Sequence, residues 1–128
     1  MPKKKIVLPP PPHEDFEQSM LAQWLDLKKV VWCHVPNGGA RSWRTAKALK
    51  SHGVKPGVPD VLIFSPPAKR LDSGVKFIGV ALELKRQKGG VVSPAQKAWL
   101  HTMEQLGWYT QICKGAGAAI SYLKSMGY

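Results

Sequence analysis

Asp60, Glu83 and Lys85 are the residues whose types and spacing point to chemistry. Pro59-Asp60 opens an apolar run, and Glu83-Leu84-Lys85 closes a second, in which residues 78–84 read Ile-Gly-Val-Ala-Leu-Glu-Leu. An ionised glutamate inside a strand of that composition costs roughly several kcal/mol unless a positive group meets it. A divalent metal ion, with Lys85 beside it, is the simplest counter-charge. Mg²⁺ takes hard oxygen ligands, of which carboxylates usually supply one or two. If the two runs pair as neighbouring strands, Asp60 at the start of one meets Glu83 near the end of the other, and Leu84 offers a backbone carbonyl as a further ligand. Lys85 follows Glu83 by two positions, so both project from one face of a strand. A lysine there orients an attacking water or, as the neutral amine, deprotonates it, and as an ammonium stabilises a pentacoordinate phosphate. The chemistry these groups suggest is metal-dependent phosphodiester hydrolysis. The same spacing also describes a plain Glu–Lys pair at a strand end with Asp60 starting a turn, and spacing alone leaves both readings open.

The elements that must position these residues follow from periodicity and punctuation. Residues 1–12 form a basic and then proline-rich arm, and residues 13–128 form the domain. A helix is expected over 14–29, where Phe16, Met20, Leu21, Trp24, Leu25 and Leu27 recur at three- and four-residue intervals. A short buried strand over 30–35 ends at Pro36 and the turn Asn37-Gly38-Gly39. Residues 41–51 read as a short helix with one basic face. Strands follow over 58–64 and 75–85, joined by a polar turn at 68–74. Ser93-Pro94-Ala95-Gln96 starts a helix, with Ser as the cap, Pro at the first position and Gln three residues after the cap. That helix is expected to bury Trp99, Met103 and Leu106 and to stop at Gly107. A strand over 108–113 and a last helix with the stripe Ala116, Ala119, Ile120 and Leu123 complete one α/β layer domain.

The chain has 128 residues, 44% of them hydrophobic, which suits one domain and is too short for two. Nineteen basic against eight acidic residues give a net charge of +11, spread along the whole length. Such a surface attracts polyanions, above all nucleic acid, with affinity that falls steeply with salt. Cys33 and Cys113 sit in apolar runs without metal-type spacing and read as reduced core residues. No apolar stretch approaches the ~20 residues of a membrane span, and the basic N-terminus lacks the apolar region of a signal peptide. A cytoplasmic protein, in a bacterial or phage-infected cell, with no membrane partner is the expectation.

At these positions the chain resembles a known family. Gly57-Val58-Pro59-Asp60, Glu83-Leu84-Lys85 and Ser93-Pro94-Ala95-Gln96 look like the motifs of the VRR-NUC family (virus-type replication-repair nucleases) of the PD-(D/E)XK superfamily, and His34-Val35-Pro36-Asn37-Gly38-Gly39 with Arg41 extends the likeness upstream. Together these motifs span roughly residues 13–126. The resemblance implies a mixed central sheet flanked by helices, Asp60 and Glu83 as ligands of Mg²⁺ or Mn²⁺, and Lys85 as the catalytic lysine. It also implies a glutamate from the first helix and a glutamine from the helix after the core. Gln96 fits the latter, although its spacing fits a capping partner of Ser93 as well. Glu14 with Gln18 matches the family's E-x-x-x-Q pattern, and Glu17 is the alternative. Compact members of this kind, found in phage and bacteria, resemble structure-selective endonucleases acting on branched DNA such as Holliday junctions. Symmetric cutting of a junction needs two active sites, hence a homodimer.

Further expectations come from the residues themselves. Arg41, Arg44, Lys47 and Lys50 are candidates for phosphate-backbone contacts, and Arg86 and Lys88 lie closest in sequence to the cut. His34 and Asn37 are candidates for a phosphate contact or support of the metal site. Trp32 and Trp43 flank the 36–42 loop, where bases can stack. Two other functions stay open: a non-catalytic nucleic-acid-binding module of the same fold, and an RNA-directed nuclease.

Overall fold

The computed structural model describes residues 13–36, 42–67 and 76–128. The N-terminal arm, the Asn37-Gly38-Gly39 turn, Arg41 and the 68–74 turn lie outside the described residues. Among the described residues eight elements follow one another: α1 (Glu14–Leu27), β1 (Trp32–His34), α2 (Trp43–Ser51), β2 (Val61–Ile63), β3 (Val80–Lys85), α3 (Pro94–Gln105), β4 (Tyr109–Lys114) and α4 (Ala116–Met126). The four strands form one mixed sheet in the order β1-β2-β3-β4. β1 pairs with β2 and β2 with β3 in antiparallel fashion, whereas β3 and β4 run parallel, with α3 as the crossover. This is the mixed, helix-flanked α/β sheet expected.

Every residue of β3 is buried, because both its faces are covered. Its side chains alternate. Val80, Leu82 and Leu84 join Leu21 and Leu25 of α1 and Ala119 and Leu123 of α4 in the main core. Ala81, Glu83 and Lys85 take the opposite face, toward the start of α3. The register Val61↔Leu82 sets Asp60, just before β2, across from Glu83.

Several expectations need correction. The strand expected over 75–85 is regular only from Val80, and that over 58–64 only over Val61–Ile63. β1 is an edge strand and largely exposed, so Cys33 is a surface residue rather than a core one, while Cys113 is buried as expected. Burial pushes the Cys113 thiol up to about 11. α3 buries Leu100 and Met103, and Leu106 is exposed, because the helix caps at that residue and the chain turns away through Gly107. In α1 the inward stripe is Glu17, Leu21 and Leu25, and Phe16, Met20 and Leu27 stay exposed. The apolar set of α1 is wider than the face it buries.

Candidate active site

Two loops and two strand ends converge beyond the C-terminal end of β3. Asp60 is held by both backbone and side chain. Its carboxylate Oδ2 accepts the Leu84 N–H at 2.8 Å, and its carbonyl accepts the Val35 N–H and the His34 Nδ1–H, each at 2.8 Å. A carbonyl only accepts, so the contact assigns the proton to Nδ1 of His34 and leaves Nε2 as the second ring nitrogen. The preceding Gly57 has φ +85°, and a β-carbon there would sit 2.6 Å from the Ala95 carbonyl carbon. Only glycine lets this loop lie against the first turn of α3. The loop that leads to Asp60 is thereby seated on the helix start that carries Gln96.

Glu83 is the centre of the arrangement, with 1% of its surface exposed. Its Oε1 accepts from Gln96 Nε2 at 2.7 Å and lies 3.5 Å from the ammonium of Lys85, a residue that is itself buried. Its Oε2 is buried, and no donor among the described residues reaches it. A buried carboxylate oxygen without a donor is uncommon and calls for an explanation. Burial first, and the Asp60 carboxylate second, raise Glu83 far above the usual carboxylate range, to about 8, with Lys85 pulling the other way.

Gln96 serves two partners at once. Its Oε1 accepts the Ser93 N–H at 2.8 Å while its backbone N–H donates to Ser93 Oγ at 3.2 Å, the reciprocal box expected for this helix start. The same side chain gives its Nε2 to Glu83. The two roles that spacing left as alternatives are filled by opposite ends of one amide, and the bond to Glu83 fixes which way that amide points.

The two first-helix glutamates part company. Glu17 is 4% exposed, and both its oxygens are engaged: Oε1 accepts Gln87 Nε2 at 2.8 Å, and Oε2 accepts the Ala116 N–H. Glu14, one turn earlier, stands in the field of the site. Partial burial raises its carboxyl, Lys85 lowers it, and Asp60 raises it again. Gln18 shares its face, and its Nε2 is also buried without a partner among the described residues.

Among the described residues no three His, Cys, Asp or Glu side chains form a ready-made cage. The donor chemistry still suits a hard divalent ion: two adjacent carboxylates, one with an orphaned oxygen, leave the other ligand positions to main chain, water and substrate. Arg86 and Lys88 are exposed just past β3. Arg44, Lys47 and Lys50 lie on α2, which buries none of its residues. Lys47 lies over the Trp43 ring, 5.4 Å from its centre, and Trp43 is 73% exposed. Trp32 is half-buried, its indole N–H tied to Asp26 at 2.8 Å. Asn37 and Arg41 fall outside the described residues. A groove of about 410 Å³ between α3 and β4, lined by Lys97, His101 and Gln111 among others, includes none of the expected site residues. No helix among the described residues is long and apolar enough to cross a membrane.

Two residues here went unnoticed in the sequence: Gln87, and Glu17 as a cap for another helix. Their partners are 70 and 99 positions apart. The only local signal was Gly115, a glycine just before a helix with no polar cap of its own.

Comparison with known proteins agrees with this geometry. A solved structure of a VRR_NUC domain protein superposes with a TM-score of 0.73 over 92% of this chain and 90% of that one; at 23% identity the likeness carries the fold alone. No curated protein sequence matches the chain. The VRR-NUC domain family matches residues 13–117, most of the chain. The chain belongs to the VRR-NUC family of nuclease-type domains.

Proposed function

We propose that the protein is a Mg²⁺- or Mn²⁺-dependent endonuclease that hydrolyses DNA phosphodiester bonds, selecting branched structures such as Holliday junctions and acting as a homodimer. The observation that carries this reading is Glu83: a buried carboxylate with one oxygen that no donor among the described residues reaches, set against the Asp60 carboxylate and Lys85. A binding-only domain has no use for that arrangement, which costs stability unless a cation completes it.

Asp60 and Glu83, with the Leu84 carbonyl and Glu14, are the groups that would hold the ion. When bound, such an ion neutralises phosphate charge and lowers the pKa of a coordinated water. Gln96 holds Glu83 in one rotamer with its carboxylate turned toward Asp60. Lys85, buried beside Glu83, would as an ammonium orient the attacking water and offset charge on the phosphate as it becomes pentacoordinate, or as the neutral amine take the water's proton. Glu17, with both oxygens engaged, has none left for the ion, so Glu14 is the first-helix ligand in this reading. His34 fixes the Asp60 peptide, and its Nε2 can reach a phosphate from the exposed side. Arg44, Lys47, Arg86 and Lys88 supply exposed positive charge for the DNA backbone; Arg41 as a further cation and Asn37 as a hydrogen-bonding group remain phosphate contacts in this reading.

A panel of labelled four-way, flap, linear duplex and single-stranded DNAs, with matched RNAs, tests the proposal. Cleavage of the branched DNAs in Mn²⁺, abolished by EDTA, is expected. Preferential cutting of the RNAs would reassign the substrate, and no cutting of any would leave only a binding function.

A further inference from the structure

Glu17 is a buried carboxylate that the chemistry above does not use. It lies on α1, one turn after Glu14, yet its carboxylate makes no bond within its own helix. One oxygen takes the first N–H of α4, at Ala116, and the other takes the side chain of Gln87, two residues past Lys85. A third link closes the group: the Gly115 N–H donates to the Lys85 carbonyl at 2.8 Å. Gly115 has φ +93°, and a β-carbon there would come within 2.9 Å of Gln87 Cγ and 3.3 Å of Glu17 Oε2. Glycine, the residue without a side chain, stands where these groups meet. α4 lacks a side-chain cap of its own, and the negative charge of Glu17 at its N-terminus fills that place.

The group therefore joins three separate elements: α1, which carries Glu14; the end of β3, which carries Lys85; and the start of α4. We infer that Glu17 is a positioning residue, whose carboxylate locks α1 against the end of β3 and so sets Glu14 in register with Asp60 and Lys85. This inference rests on the nuclease reading for its link to catalysis. Outer-shell partners of this kind are worth about 10–100-fold in activity or metal affinity.

The test compares Glu17→Ala, Glu17→Gln and Gln87→Leu with wild type, each measured per folded molecule. Readouts are kcat and KM on branched DNA and, on the protein alone, Mn²⁺ affinity by calorimetry. Glu17→Ala is expected to lower kcat by about tenfold or more with KM for DNA within about twofold, and to weaken Mn²⁺ binding by about tenfold. Glu17→Gln still accepts from Ala116 and can pair with a flipped Gln87 amide, so it is expected to keep most of the activity. Gln87→Leu removes one arm of the lock at an exposed position and is expected to lower kcat by a few-fold. If Glu17→Ala does not fold, Gln87→Leu decides. Wild-type kcat and Mn²⁺ affinity in Gln87→Leu and in folded Glu17→Ala would overturn the inference, reducing Glu17 to a fold-stabilising contact. If wild type cuts nothing, the nuclease reading fails, and the Mn²⁺ affinities alone judge the lock.

Discussion

α2 and α3 begin alike and end up in opposite circumstances. Each opens on a serine whose hydroxyl accepts the N–H three residues on, from Thr45 in one and Gln96 in the other. In α3 the third residue answers with its own side chain and then reaches beyond the helix to Glu83. In α2 the answer is only a hydroxyl contact from Ser42 to Thr45 at 2.8 Å, and the helix buries no residue. The same local signal starts both helices, but tertiary burial makes one a wall of the candidate site and leaves the other a cationic ledge. A helix of nine residues has little stability of its own in water. α2 therefore has the least packing to hold it in place.

The contrast between the two helices breaks most readily at α3. A glutamate in place of Gln96 still accepts the Ser93 N–H, but it no longer donates to Glu83. Gln96→Glu is expected to keep α3 by circular dichroism and to lower cleavage about 10–100-fold; unchanged cleavage would make Gln96 a cap only. The second effect belongs to α2. Arg44→Ala/Lys47→Ala should weaken DNA binding and flatten its log–log salt dependence by about two, with kcat at saturating DNA unchanged. Binding titrations at several salt concentrations check it, and an unaltered slope would remove α2 from the DNA surface.

A smaller effect concerns pH. Glu83 in the folded protein holds its proton to about 8, well above its ordinary 4.5, and Glu14 is shifted in the same direction. The unfolded chain releases that proton first. The stability of the ion-free protein therefore stands at full value below about pH 4.5 and falls as pH rises through about 8. Denaturant midpoints in EDTA at pH 5 and pH 8 should show the fall, and Glu83→Gln should flatten it. Smallest of all, Thr45→Gln supplies α2 with the missing reciprocal bond. It is expected to stabilise that helix by about 0.5 kcal/mol, read from amide exchange, without altering cleavage.

What the sequence made legible was whatever depends on composition and short spacing. The buried runs, the antiparallel meeting of Asp60 with Glu83, the Ser93–Gln96 box and the element order all follow from neighbours within a few residues or from strand pairing. Burial was less legible where it depends on what lies across the fold. Cys33 looked internal because its run is apolar, but an edge strand covers little of its own surface. α2 has the periodicity of a packed helix, and periodicity does not say whether anything packs on it. Glu17 and Glu14 are three positions apart on one helix, and only the arrival of Ala116 and Gln87 separates their roles. The second bond of Gln96 is of the same kind, set by where β3 brings Glu83 against the start of α3.

If Glu83 is buried in order to hold a divalent ion, that ion should bind without DNA or turnover. Calorimetric titration of Mn²⁺ into the protein at pH 8, in wild type and Glu83→Gln, tests this most directly. Saturable binding in wild type that is lost in Glu83→Gln is the predicted result. Equal binding in the two proteins would place the ion elsewhere and contradict the role assigned to Glu83.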